Sequence, residues 1–109
     1  PFAKGRSPDF SGLCRYNGNF YVLERNAYAV SRVHEVDGRF KAGKGWSYEH
    51  IETRPKYRYA DMRYGKAEGL CINADYVYMV LDNNNVARAA AAEDRRPLLL
   101  IFDRPVDLR

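Results

Sequence analysis

Two short stretches of this chain carry the side chains best suited to chemistry. Glu68 stands directly before Gly69-Leu70-Cys71, and Asp82-Asn83-Asn84 follows the apolar-rich run Val77–Leu81. A carboxylate can hold a hard cation such as Ca²⁺ through oxygen, or take a proton from water, and both roles need neighbours that orient it. Upstream of Glu68 lie Arg63, Tyr64 and Lys66, whose cations and hydroxyl suit the negative charge of an anionic or ester ligand. The expected site therefore has Glu68 and Asp82 as catalytic residues and metal ligands, and Arg63, Tyr64, Lys66 and Asn83 as ligand-binding residues. The same residues also have structural uses. Glu68 could tie its strand to a neighbouring element by a hydrogen bond, and Asp82, Asn83 and Asn84 are the short polar residues that form turns at strand ends.

Other chemistries find less support. His34 and His50 have no Ser or Cys nucleophile nearby in sequence, and no Gly-x-Ser-x-Gly elbow exists. Gly38, Gly43 and Gly45 flank a hairpin and open no helix, so they are no phosphate cradle. Cys14 and Cys71 lack further Cys or His at ligand spacing and read as small buried side chains on equivalent strands, too far apart for a disulfide. The net charge of +4 comes from 18 basic and 14 acidic residues in short scattered groups, which suits a solvated surface and argues against a dedicated nucleic-acid face. Tyr57, Tyr59 and Tyr64, interleaved with Arg54, Lys56, Arg58, Arg63 and Lys66, fit either a packed connection or a surface for an anionic small ligand.

The elements that must position these residues are strands. Nine Tyr and five Phe, with only short apolar runs, favour a pleated, half-buried surface and an all-β class. Phe10–Tyr16 and Phe20–Glu24 flank Asn17-Gly18, a two-residue hairpin turn in which both central residues need positive φ. A third strand is expected over Ala27–Val36, closed by Asp37-Gly38, and a fourth over Trp46–Ile51. Downstream, strands are expected at Glu68–Ile72, Val77–Asp82 and Pro97–Asp103. The segment 86–96 between the last two is polar and alanine-rich, fit for a helical turn at Ala89–Ala92 or for a loop.

The two halves echo each other. Gly12-Leu13-Cys14, Tyr21 and Asn26 recur 57 residues later as Gly69-Leu70-Cys71, Tyr78 and Asn83. Such a period, stretched by loops, marks repeat architectures, and four antiparallel strands in about 50 residues make the meander of a propeller blade. The expected fold is a β-propeller fragment of about two blades. Residues 1–8 form an arm or peripheral strand, 9–65 the first blade with its connection, and 66–109 a second blade lacking its outer strand. In that frame Glu68 lies at the end of an innermost strand, where the first copy has Ser11. Asp82 has Arg25 as its counterpart.

Tyr64-Gly-Lys-Ala-Glu68-Gly69-Leu70, then Tyr78, Asp82-Asn83-Asn84 and Leu98-Leu99-Leu100-Ile101-Phe102, resemble the phytase-like β-propeller family described as having esterase-like activity of phytase. Asp9-Phe10-Ser11-Gly12-Leu13 with Tyr21–Asn26 looks like another blade of that family, so the resemblance spans residues 9–105. It implies the C-terminal third or so of a six-bladed ring and metal-assisted hydrolysis of an ester or phosphoester. In gluconolactonase-like relatives the residue before Gly-Leu points into the channel and can ligate a divalent metal, which here implies Glu68. The resemblance also implies export to the periplasm or cell exterior, with any signal peptide outside this segment. The rival expectation is a non-catalytic propeller that presents loops to a protein or carbohydrate. Partners then include the remaining blades of a parent chain or further copies of this one; no apolar run is long enough for a membrane-spanning helix.

Overall fold

The computed structural model describes residues 9–60, 66–83 and 86–108. Strand β1 (Phe10–Tyr16) turns at Asn17-Gly18 into β2 (Asn19–Glu24). The two turn residues have φ of 51° and 79°, the left-handed pair that a tight hairpin matched to strand twist requires. Strand β3 (Ala29–Val36) turns the same way at Asp37-Gly38 into β4 (Arg39–Ser47), with φ of 51° and 75°. The four form one antiparallel sheet in the order β1-β2-β3-β4. A second antiparallel sheet has the order β5-β6-β7, from β5 (Ala67–Ile72), β6 (Tyr76–Leu81) and β7 (Leu98–Asp103). The protein is all-β, with, among the described residues, one short helix, α1 (Glu49–Glu52), and two 3-10 turns at Arg25–Ala27 and Val106–Leu108.

Local differences from the sequence reading have physical causes. The fourth strand begins at Arg39, not Trp46, because the tight turn at Asp37-Gly38 pairs Val36 with Arg39 at once. The glycine-spaced stretch belongs to the strand: between the Ser31↔Gly45 and Val33↔Ala42 pairs β4 holds one residue more than β3, a bulge. Gly43 lies there, where an added Cβ would stand 3.1 Å from the His34 ring. Beyond Ser47 the chain leaves the sheet for α1, so His50 is on a helix and not on an outer strand. The third strand starts at Ala29 because the 3-10 turn ends on Tyr28 in the left-handed conformation, φ 52°. Ala89–Ala92 form turns and isolated bridges instead of a helix.

The two sheets share one core. Tyr21, Leu23 and Val30 from the first and Val77, Met79, Leu81 and Leu100 from the second join a single buried cluster, and Trp46 of β4 lies against Phe102 of β7 with ring centroids 4.8 Å apart. Alternation along each strand leaves the opposite faces outward. Leu13 is 64% exposed on the first sheet, and Leu99 and Ile101 are each 56% exposed on the second.

Strands β1 and β5 lie beside each other where the sheets meet, the Ser11 hydroxyl donating to the Ala67 carbonyl at 2.7 Å. Both opening hairpins have one register. Leu13 pairs with Val22 and Cys14 with Tyr21; 57 residues on, Leu70 pairs with Met79 and Cys71 with Tyr78. The irregularity between Phe10 and Gly12 recurs between Ala67 and Gly69. Cys14 is half-buried and Cys71 exposed, both as free thiols, so burial of Cys71 is corrected: its strand position turns it to the outward face. Burial, and then the neighbouring Cys71, push the Cys14 thiol up to about 11.

Candidate functional site

The corner where β1 and β5 begin holds the most charged arrangement between the sheets. Arg25, at the start of the 3-10 turn after β2, reaches both ways. Its Nε donates to Asp9 Oδ2 at 2.5 Å, and its Nη1 donates to Glu68 Oε1 on β5. The three side chains are about one-third exposed, 28% for Arg25 and 36% for each acid. Burial works against the charge of Arg25, but its hydrogen bond to Asp9 and the charges of Glu68 and Asp9 outweigh it and raise its pKa. The backbone supports the bridge, since the Arg25 N–H donates to the Asp9 carbonyl at 3.1 Å.

Glu68 is thus a partner of Arg25, linking the second sheet to the first. Asp82 leaves β6 as an exposed residue whose N–H donates to the Lys66 carbonyl at 2.8 Å. That bond is the counterpart, 57 residues on, of the Arg25–Asp9 backbone bond. Lys66 is buried, and its N–H donates to Glu52 Oε1 at 3.3 Å. Asn83 is buried and donates from Nδ2 to the carbonyls of Val86, at 3.2 Å, and Arg95, which pins the base of the 86–96 excursion. Arg63 and Tyr64 lie outside the described residues.

The chemistry of the donor set bears on a divalent metal. Among the described residues no three His, Cys, Asp or Glu side chains converge. The carboxylates of Asp9 and Glu68 do share a partner, but it is the Arg25 guanidinium, which supplies the positive charge that a cation would bring. With Arg25 so seated, the described residues do not fit Ca²⁺ at this corner.

Two groups escaped the sequence reading. Arg88, within the alanine-rich excursion, is buried and donates through Nε to Asp94 at 2.8 Å and through its two terminal nitrogens to the carbonyls of Tyr57 and Arg96, each at 3.2 Å. It lies over the Tyr59 ring, 5.2 Å from the centroid, and Tyr59 is fully buried with its hydroxyl donating to the Arg96 carbonyl. Hydrogen bonds from Arg96 and Arg88 hold the Asp94 carboxyl far below its usual range. With these partners drawn from both segments, the Tyr57–Tyr59 connection packs around this guanidinium. The second group is Glu52, fully buried at the end of α1, whose Oε2 has no hydrogen-bond partner among the described residues; the buried Tyr48 hydroxyl likewise has none among them. Neither had a motif, since one Arg among 18 basic residues and one Glu among 14 acidic ones carry no pattern.

No protein-family model, curated protein or solved structure matches the chain.

Proposed function

We propose that this chain supplies two neighbouring blades to a β-propeller of the phytase-like kind, and that the completed ring hydrolyses an ester or phosphoester. One observation carries the reading: the two opening hairpins share register and bulge 57 residues apart while their first strands run side by side. Neighbouring blades around an axis would have this relation. In such a ring Glu68 would stand at the channel end of an inner strand, with Arg25 beside it as the cation nearest a substrate's negative charge. Glu68 would act as the base toward water, and further groups would come from other blades.

The test is hydrolysis of p-nitrophenyl phosphate and p-nitrophenyl acetate by the longest natural polypeptide that carries this chain, with and without added Ca²⁺. Glu68→Gln should lower turnover about 100-fold, the scale of one general base, without unfolding the protein.

A second reading, a non-catalytic propeller platform for a protein or carbohydrate, draws on the Arg25–Glu68 bridge, because a carboxylate committed to a neighbouring sheet serves cohesion. It predicts that Glu68→Gln lowers the melting temperature and that neither ester is turned over by the unaltered protein. Turnover that survives Glu68→Gln would reject the role given to that residue.

A further inference from the structure

The outward faces of the two sheets are built like the two halves of the interface buried between them. Leu13 and Val22 face outward on the first sheet, and their counterparts 57 residues on, Leu70 and Met79, pack into the shared core. Tyr21 and Leu23 are fully buried against the second sheet, whereas their counterparts Tyr78 and Val80 lie on that sheet's outward face, with Val80 45% exposed. Each exposed face therefore has the strand register of a face already buried against a complementary sheet.

The first outward face is also shaped to receive something. Phe10, Leu13, Phe20, Val22, Val33 and Phe40 line an apolar groove of about 360 Å³. Phe10 and Phe40 are 61% and 66% exposed, and among the described residues no strand or helix covers them. The second outward face presents Tyr76, Val80, Leu99 and Ile101 as an exposed apolar surface. Exposed apolar faces of this extent mark interaction surfaces on soluble proteins.

We infer that a second copy of this chain docks head-to-tail, its β1–β4 outward face seated on the β5–β7 outward face of the first, repeating the packing that already joins the two sheets. The contact continues an interface present within each copy. Val80 and Ile101 of one copy enter the groove of the next, as Leu23 and Tyr21 share the internal core with Leu70 and Met79. Because the two contacting surfaces differ, the association is heterologous and leaves one face of each kind free for a further copy, closing into a ring or extending according to the rotation at each step. The inference builds on the propeller geometry of the proposed function but not on its chemistry, so loss of ester turnover would leave it standing, and failure to associate would leave the activity assays untouched.

Sedimentation velocity over a concentration series tests it, using Leu13→Asp to spoil the groove and Ile101→Asp to spoil the β5–β7 outward face. Phe40→Ser and Leu99→Ser serve as gentler partners on the same faces, and Trp46 fluorescence reports that each variant keeps the sheet pair. The wild-type chain should form species beyond the dimer as concentration rises. Each Asp variant alone should be monomeric, its association weakened about 100-fold or more by a carboxylate set in an apolar contact. An equimolar mixture of the two should give a discrete heterodimer, because each retains the face the other lacks. A folded wild-type chain that stays monomeric throughout would overturn the inference. So would self-association of either Asp variant alone, which would mean like faces meet.

Discussion

Glu52 gives the sharpest prediction, because its surroundings set both the sign and the size of a pH effect. Its side chain is fully buried, one oxygen accepts the Lys66 N–H, and the other has no partner among the described residues. Burial pushes its pKa from 4.5 up to about 7, with the Lys66 hydrogen bond and charge restraining the rise. The folded protein therefore holds a proton that the unfolded chain has already released. For a carboxyl with a raised folded-state pKa, stability is greatest below about 4.5, falls as pH rises toward 7, and is flat above that. At about 1.4 kcal/mol per pH unit, the Glu52 contribution to this fall is about 3 kcal/mol. Glu52→Gln keeps an acceptor for the Lys66 N–H and carries no charge to desolvate. It should remove that part of the slope and be more stable than wild type at pH 8 by up to the same amount. Urea unfolding followed through Trp46, the single tryptophan, at pH values from 5 to 8.5 measures both curves. A Gln variant that parallels wild type through this range, or is less stable at pH 8, would refute the reasoning.

Three further outcomes follow from the packing. Leu23→Ala, at a fully buried position between the sheets, should cost about 2–5 kcal/mol in denaturant unfolding, whereas Leu13→Ala on the outward face of the same sheet should cost well under 1 kcal/mol in the monomer. Gly18→Ala should cost about 1 kcal/mol, since Gly18 sits at φ 79° with open space around it, so strain and not crowding sets the penalty in the same unfolding assay. Arg25→Gln removes both ion pairs at the β1–β5 corner. These groups are partly exposed, so the loss should be about 1 kcal/mol or less and shrink at high salt, which thermal melts at two ionic strengths will read.

The strand order was legible wherever local chemistry was sufficient. Asn17-Gly18 and Asp37-Gly38 specify tight hairpins through backbone φ alone, and alternation between them sets the facing residues, so β1 through β3 follow from sequence to within two residues. The start of β4 did not, because Gly43 and Gly45 lower strand propensity while the bulge and the nearby His34 ring call for glycine, a tertiary demand that propensity cannot see. The site was legible as a set of residue types but not as a set of partners. Nothing in Arg25 announces that it would reach Glu68, 43 positions away, because the meeting depends on β1 and β5 lying together. Glu52 was passed over for the same reason: its burial comes from how α1 is tucked in, not from its neighbours in sequence.

The two corners where each sheet opens separate what the backbone repeats from what the side chains vary. The bond from the Arg25 N–H to the Asp9 carbonyl recurs as the bond from the Asp82 N–H to the Lys66 carbonyl, at the same register. The side chains are reversed in sign: an acid before the first strand and a base after the second in one sheet, a base and then an acid in the other. A catalytic role would require a particular group at a particular corner, whereas cohesion across a hairpin mouth requires only opposite charges, in either order. What the two corners share is the backbone bond, to which the first adds the Arg25–Asp9 ion pair. Glu68 is the departure from that shared pattern, standing where the first sheet has Ser11, which donates to a backbone carbonyl. Chemistry beyond cohesion is most economically sought at Glu68, and the Arg25 guanidinium that holds it is the group any substrate would have to share or displace.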